Sequence, residues 1–399
     1  MATPSNVHDT GANEPARVFW LNDPKVRGII YQILVAGILA LVVWWIVGNT
    51  TENLRRANIS SGFGFLNGRA GFDVAQSLIE FSANSTFGRA IVVGLINTVL
   101  VALLGIVTAT VLGFLIGIGR LSGNWLIARL CTVYVEVFRN IPPLLVIFFW
   151  YLGVLAVLPG PRDSVELPLG TFLNNRGFFI PKPIWGEGAW LIPVALVVAL
   201  ILTWIVARIA HKRQMATGER LPVLWIALGL ILGLPFLALA ATGFPLTFDF
   251  PIQGNFNLVG GFDVKPEFLS LYLALSFYTA SFIAEIVRAG ILGVSKGQSE
   301  AANALGLRSG PTLRLVVVPQ AMRIIIPPLT SQYLNLTKNS SLAVFIGYPD
   351  LVQIGQTTMN QTGQAIEVVA IWMLIYLGLS LTTSAFMNWF NARMALVER

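Results

Sequence analysis

The chain has 399 residues, of which 55% are hydrophobic and only 11% are charged. Soluble domains carry roughly 25% charged residues, so this composition excludes a water-soluble globular protein and indicates a membrane protein. The net charge of +7 is explained by basic residues that flank membrane spans on the cytoplasmic side, rather than by a nucleic-acid-binding surface.

Apolar runs predict an all-α integral membrane protein with about eight transmembrane helices. The expected spans are residues 29–47, 91–119, 130–158, 190–207, 221–241, 268–287, 324–347 and 368–392. The polar first 28 residues predict a cytoplasmic tail before an uncleaved anchor helix, and both termini are expected in the cytoplasm. Close helix packing is expected at the glycines of the second span, which are Gly94, Gly105, Gly113 and Gly117.

The span at 130–158 contains its own interruption. Two consecutive prolines follow Asn140 after one residue, and because proline has no backbone donor we expect the helix to bend or break there. Glu136 and Arg139, one turn earlier, are spaced so that they can pair with each other. They either contribute to a transport cavity or only fix the bent helix.

An insert separates two parts of a membrane core. Its outer loops are rich in proline, glycine and phenylalanine, and it carries two of the expected spans. The predicted organisation is a tail, anchor helix and external segment at 1–89, the first part of the core at 90–158, the insert at 159–267, the second part of the core at 268–391, and a cytoplasmic tail at 392–399.

A small polar loop at 295–311 lies between two spans. Glu300 begins a stretch of good helix formers that ends at Gly306, which predicts a helix of roughly seven residues, about 10 Å long. Such a helix is too short to cross a membrane, so it lies at the surface or docks into another protein. Ala301 and Ala302 either permit close approach of that protein or simply favour the helix.

Ionisable groups within spans are the candidates for a transport pathway. Lys338, beside Asn339 and Ser340, is the clearest, because a charge in mid-membrane costs ~2.5–3.5 kcal/mol unless it faces protein or water. It either attracts a substrate carboxylate or extends along its span to the outer interface. Glu285 and Arg288 are expected to form an intrahelical pair near the cytoplasmic edge.

Five stretches carry a family resemblance: Gly94-Leu-Ile-Asn-Thr-Val, Tyr134-Val-Glu-Val-Phe-Arg-Asn-Ile-Pro-Pro-Leu, Tyr278-Thr-Ala-Ser-Phe-Ile-Ala-Glu-Ile-Val-Arg-Ala-Gly-Ile, Ser295-Lys-Gly-Gln-Ser-Glu-Ala-Ala and Leu336-Thr-Lys-Asn-Ser-Ser-Leu. They resemble the polar-amino-acid permease family of ABC importers, and the Glu-Ala-Ala pattern resembles its cytoplasmic coupling loop. The resemblance covers about 90–158 and 268–391, the five-helix core of a type I importer permease. The long N-terminal part and the insert resemble the larger permease subunit of general L-amino-acid importers of the Aap/Bzt type.

The resemblance implies an ATP-driven amino-acid importer of the bacterial cytoplasmic (inner) membrane. In it, this chain forms the pathway with a second, homologous but different permease subunit, and a periplasmic or extracellular amino-acid-binding protein delivers the substrate. Two copies of a separate ABC ATPase bind ATP and Mg, so no cofactor is expected in this chain. The implied ATPase-coupling residues are Glu300, Ala301, Ala302, Gly306, Leu307 and Arg308. The candidate pathway residues are Lys338, Asn339, Ser340, Glu136, Arg139, Asn140 and Ser281.

Other classes of protein are less well supported by the sequence. None of the six lysines follows a glycine, so a GxxxxGK[ST] phosphate-binding loop is excluded and the chain is not expected to be an enzyme. One cysteine and two scattered histidines offer neither a disulfide nor a metal site. The alternative function is a secondary amino-acid transporter or channel without an ATPase partner, but no internal repeat relates the two halves of the core. A membrane scaffold or receptor would not need charges within its spans.

Overall fold

The computed structural model describes residues 24–56, 61–219, 221–254 and 256–394, and helices dominate it. The helices are α1 (Pro24–Arg56), α2 (Phe87–Gly119), α3 (Trp125–Asn140), α4 (Pro143–Phe148), α5 (Leu191–Thr217), α6 (Val223–Ala241), α7 (Pro266–Leu292), α8 (Lys296–Ala304), α9 (Ser309–Thr312), α10 (Val318–Asn339), α11 (Leu351–Thr362) and α12 (Ala365–Met394). The strands are β1 (Val165–Leu167), β2 (Thr171–Asn174), β3 (Gly177–Ile180), β4 (Lys182–Trp185), β5 (Leu246–Asp249), β6 (Ile252–Gln253), β7 (Leu258–Val259) and β8 (Phe262–Val264).

The helices able to cross a membrane agree in number with the sequence prediction. Within the described residues seven helices are long and apolar enough alone, and the bent pair formed by α3 and α4 raises the number to as many as eight. One predicted boundary is wrong, because the span expected at 324–347 belongs to a longer helical run, Ser309–Ile346. A π-helical segment at Leu313–Val317 precedes Pro319, and its wider turn lets the helix continue past the proline.

The span at 130–158 is broken at the predicted place. Helix α3 ends at Asn140, Ile141 is extended, and α4 begins at Pro143. The two helical segments differ in direction by 111°. Proline supplies no N–H to the helix and disfavours helical backbone in the residue before it, so consecutive prolines explain a break at this position.

The hydrophobic core lies in two separate parts of the chain. Its largest buried cluster draws all of its buried members from residues between Val101 and Ile147 and between Phe268 and Met387. Helices α1, α5 and α6 instead bury almost none of their spans, and α5 and α6 pack mainly against each other. The insert helices therefore lie beside this core rather than within it.

Helices α2 and α7 form the closest helix pair of the core. A Cβ atom on Gly113 would stand 2.5 Å from Cγ2 of Ile283, and one on Gly117 would stand 2.7 Å from the carbonyl oxygen of Ala284. No larger residue fits at this distance, and small residues are what allows helix backbones to approach closely within lipid. The expectation of close packing at these glycines is confirmed.

The outer loops of the insert fold into small antiparallel sheets, which the sequence did not predict. One sheet has the strand order β1-β2-β3-β8, and β4 pairs with β5 and β6 with β7. The register places Phe178 opposite Val264 and Trp185 opposite Leu246, so both ends of the insert are held together. The all-α class stands for the membrane part of the chain.

We predict that Gly113→Val destabilises the protein, because its side chain collides with Ile283 and overpacking of this kind costs about 1–3 kcal/mol. The measurement is the thermal unfolding midpoint of the detergent-solubilised protein. Gly229→Val on α6 is the matched control, since a Cβ there meets nothing within 4 Å. Equal midpoints for both variants would contradict the close α2–α7 contact.

Candidate functional site

Helix α8 forms the surface helix that the sequence predicts within 295–311. It has nine residues and is about 14 Å long, and it begins four residues before Glu300. Gly306 has a φ of 78°, its N–H donates to Asn303 O at 2.9 Å, and the N–H of Leu307 donates to Ala302 O at 3.1 Å. This pair of hydrogen bonds is a Schellman motif, which needs a left-handed residue at Gly306. The predicted helix end is confirmed.

One side of α8 is braced against the start of the following span. The Ala302 side chain is buried, and Gln320 Nε2 of α10 donates to Gln298 Oε1 at 3.2 Å. Glu300 and Ala301 remain exposed on α8 itself. The two alanines therefore differ, because Ala302 packs within this chain and Ala301 is free to contact another protein.

Leu305 lies at the end of α8 and was not selected from the sequence. Its side chain is 82% exposed, beside the left-handed Gly306. Leu307 is half-buried and Arg308 is exposed. A leucine directly before a helix-ending glycine is the sequence signal that marks an apolar side chain at a helix tip. An apolar tip of this kind suits a hydrophobic groove on a partner protein.

A single carboxylate joins three helices at one end of the core. Glu285 of α7 pairs with Arg288 at 2.7 Å and with Arg120 at the end of α2, and Arg139 of α3 lies 3.8 Å away. The predicted Glu285–Arg288 pair is confirmed. Arg139 instead lies with Glu285, not with Glu136 as its spacing in sequence suggested.

The break between α3 and α4 exposes the other candidate residues of this span. Glu136 and Asn140 are both exposed, and Asn140 Nδ2 donates to the Glu136 carbonyl oxygen at 2.7 Å. That bond holds the Asn140 side chain against the last turn of its own helix. The Glu136 carboxylate stays free of ion pairs with described residues.

Helix α10 presents a polar face along its C-terminal half. Ser331, Asn335 and Lys338 are exposed and lie on successive turns of one face. Leu336 packs against Gly105 near the middle of the 33-residue helix α2, so Lys338 lies at a central depth. A lysine at this depth costs ~2.5–3.5 kcal/mol in lipid, so this face requires protein or water beside it.

The remaining candidate residues, Asn339, Ser340 and Ser281, are buried or half-buried, and the two serines bond within their own helical segments. The buried Ser340 hydroxyl donates to Thr337 O at 2.7 Å, and the buried Ser281 hydroxyl donates to Tyr278 O at 2.6 Å. Asn339 is half-buried. The hydroxyl hydrogens of both serines are therefore already donated to nearby backbone carbonyls. Ser331 and Asn335, which were not selected from the sequence, lie with Lys338 on the exposed face instead.

A multi-pass helical protein with a braced surface helix and an exposed polar face on one of its core helices has the features of a membrane transport subunit. Residues 213–396 match the family model described as binding-protein-dependent transport system inner membrane component. The chain is 65% identical to the general L-amino acid transport system permease protein AapQ of Rhizobium johnstonii over 98% of both chains. It is 51% identical to the putative amino-acid ABC transporter permease protein YhdX of Escherichia coli, over 94% of this chain and 96% of that one. It is 43% identical to the glutamate/glutamine/aspartate/asparagine transport system permease protein BztB of Rhodobacter capsulatus, over the same shares.

The chain belongs to this family of inner membrane components, the permease subunits of ABC importers. It is therefore a multi-pass membrane transport subunit and not an ATPase. A permease of this family works with a partner permease, an ATPase and a binding protein.

We predict that Glu285→Gln lowers the thermal unfolding midpoint of the solubilised protein. Arg120 is only 10% exposed at its side chain and loses its counter-ion, which costs about 1–3 kcal/mol or more for a buried charged group. Glu52→Gln is the matched control, because Glu52 pairs with Arg55 and Arg56 on the exposed face of α1, where such pairs contribute about 0–1 kcal/mol. A larger loss in the control would refute the structural role of Glu285.

Proposed function

We propose that this chain is the permease subunit of an ATP-driven amino-acid importer of the bacterial cytoplasmic (inner) membrane, with both termini in the cytoplasm. Amino acids are the substrates named for all three relatives. The structural observation that carries the proposal is α8, a short helix braced on one side and open on the other. A secondary transporter or channel has no use for such a helix.

Coupling to ATP follows from how α8 is held. A separate ABC ATPase, present in two copies and binding ATP and Mg, receives Leu305 and the exposed Glu300 and Ala301 in a surface groove. Helix α8 follows α7 after a short connection and is hydrogen-bonded to α10 through Gln298 and Gln320. Movement of the ATPase therefore reorients both spans, and the pathway opens alternately to the two sides of the membrane.

The polar face of α10 supports a place for Lys338 in the translocation pathway. This face cannot lie against lipid without cost, so in the assembled transporter it lies against a second, homologous but different permease subunit or the water between them. Lys338 then attracts the substrate carboxylate in a confined, low-dielectric space. Ser331 and Asn335 offer hydrogen bonds on the same face, and the broken helix with Glu136, Arg139 and Asn140 supplies further polar groups.

We predict that Leu305→Asp abolishes coupling while leaving the protein in the membrane. Losing a docked leucine contact of about 1.5–3 kcal/mol weakens docking roughly ten- to hundredfold, and a buried aspartate adds a further cost. The measurement is ATP-dependent uptake and substrate-stimulated ATP hydrolysis by the complete complex in proteoliposomes. Gly306→Pro should act in the same direction, since proline cannot adopt the left-handed φ of 78°.

Leu169→Asp is the matched control for this experiment. Leu169 is 86% exposed on the insert, away from α8, so its replacement should leave uptake unchanged. The chain purified alone should hydrolyse no ATP. Normal uptake by a well-expressed Leu305→Asp, Gly306→Pro double variant, or uptake that needs no ATP, would disprove the proposal.

We predict that Lys338→Met retains insertion of the span and some basal ATP hydrolysis but lowers uptake, most strongly for acidic or zwitterionic amino acids. The substitution keeps the length of the side chain and removes the charge that attracts the carboxylate. Lys338→Arg should be intermediate, because its planar fork differs from a compact ammonium. The measurement is initial uptake of several amino acids at sub-saturating concentration.

Lys182→Met is the control, since Lys182 is exposed on β4 of the insert. Equal uptake by wild type and Lys338→Met across those amino acids would show that Lys338 only extends to the membrane interface.

A further inference from the structure

A cavity of about 490 Å³ lies where the insert meets the core. Its walls come from the turn between β2 and β3, the start of α7, the segment before α2, and the π-helical segment Phe149–Leu155 that follows α4. The polar side chains that line it are Tyr151, Asn175, Arg176, Lys265 and Glu267. Its volume lies within the roughly 300–1,000 Å³ of small-molecule sites.

The cavity offers charges of both signs. Arg176 is exposed and its guanidinium has no ion pair with a described residue, whereas Lys265 pairs with Asp263. Glu267 accepts a hydrogen bond from the Tyr151 hydroxyl through Oε1 at 3.2 Å, which leaves its second oxygen open. The Arg176 guanidinium and the open carboxylate oxygen of Glu267 therefore line the same cavity.

A free α-amino acid matches this arrangement. The planar guanidinium of Arg176 binds a carboxylate through two parallel hydrogen bonds. The open oxygen of Glu267 accepts from an ammonium group. A ligand with only one of the two charges would pair with only one of the two side chains, so the cavity distinguishes an amino acid with an uncharged side chain from its α-amide and from its deaminated acid.

We propose that this cavity is an outer vestibule that binds a free α-amino acid between the binding protein and the translocation pathway. The proposal rests on the proposed function, which sets the substrate class and the outer position of the insert. It also gives the insert a role, because Arg176 comes from the turn between β2 and β3 of the insert and Glu267 from the first turn of α7.

The test uses Asn175→Cys in a Cys131→Ser chain, within the complete complex in nanodiscs and without binding protein. Asn175 is exposed, so a maleimide should modify the new thiol. L-Glutamate, L-glutamine, L-arginine and L-alanine are added as probes. Glutamine and alanine, whose side chains are uncharged, are each compared with their α-amide and their deaminated acid, which retain only one of the two charges. At a few times the dissociation constant, a bound amino acid slows modification about threefold or more. The amides and deaminated acids should not protect.

Two substitutions and two controls locate the effect. Arg176→Gln and Glu267→Gln, each in the Asn175→Cys chain, should remove the protection. Lys182→Gln should not, and a thiol at Glu166→Cys should not be protected, because both positions are exposed on the insert outside the cavity. Affinity of the complex for loaded binding protein is measured in parallel and should be unchanged by Arg176→Gln.

Two results would overturn the vestibule. One is the absence of protection by every amino acid that the wild-type complex takes up. The other is intact protection in Arg176→Gln with weaker binding-protein docking, which would make the cavity a protein contact. Either result leaves import itself standing, whereas failure of the wild-type complex to take up any amino acid would contradict the proposed function instead.

Discussion

The close approach of α2 and α7 is the contact on which the other features of this permease depend. Lipid tails are as apolar as leucine side chains, so helices in a membrane associate through packing rather than through exclusion of water. Gly113 and Gly117 bring the two backbones together, with no space for a larger side chain. That approach carries Arg120, at the end of α2, to Glu285 on α7. The charge cluster is thus a consequence of packing, and Arg139 of the broken span joins it from α3.

The same arrangement connects the surface helix to the interior. Helix α7 ends at Leu292, and α8 begins four residues later, so little chain is free to absorb a displacement. The bond between Gln298 and Gln320 and the burial of Ala302 fix α8 to the next span as well. Under the proposed function, a displacement of α8 by the ATPase would act on the α2–α7 pair and on α10 together. Packed helices with discrete arrangements transmit such movements as rigid units.

Features set by local chemistry could be predicted from the sequence, and those set by distant contacts could not. The apolar spans, the break at the paired prolines and the left-handed Gly306 each depend on a few neighbouring residues. The carboxylate nearest Arg139 could not be predicted in this way, because Glu285 lies on another helix. The sequence suggested Glu136, one turn away, instead. The strands of the insert are two to four residues long and pair Phe178 with Val264, so neither periodicity nor proximity in sequence revealed them.

The candidate sites follow the same division. Glu300 and Ala301 are exposed on the predicted helix, but Ala302 packs within the chain, and only the fold shows which alanine faces outward. Lys338 was selected from the sequence because it is a charge within a span. Ser331 and Asn335 lie two turns and one turn before it, a spacing that the sequence contains, but only the fold shows that all three are exposed on one face.

The exposed face of α10 finally explains why a single chain of this kind is incomplete. Helices α1, α5 and α6 expose apolar side chains, which lipid can cover. Ser331, Asn335 and Lys338 are exposed at the depth where Leu336 meets Gly105, and lipid cannot satisfy a hydroxyl, an amide and an ammonium there. Burying them inside this subunit would remove the charge from any pathway. Under the proposed function a second subunit lies across a wet interface from this face, so that assembly with the partner permease would both cover the polar groups and create the pathway.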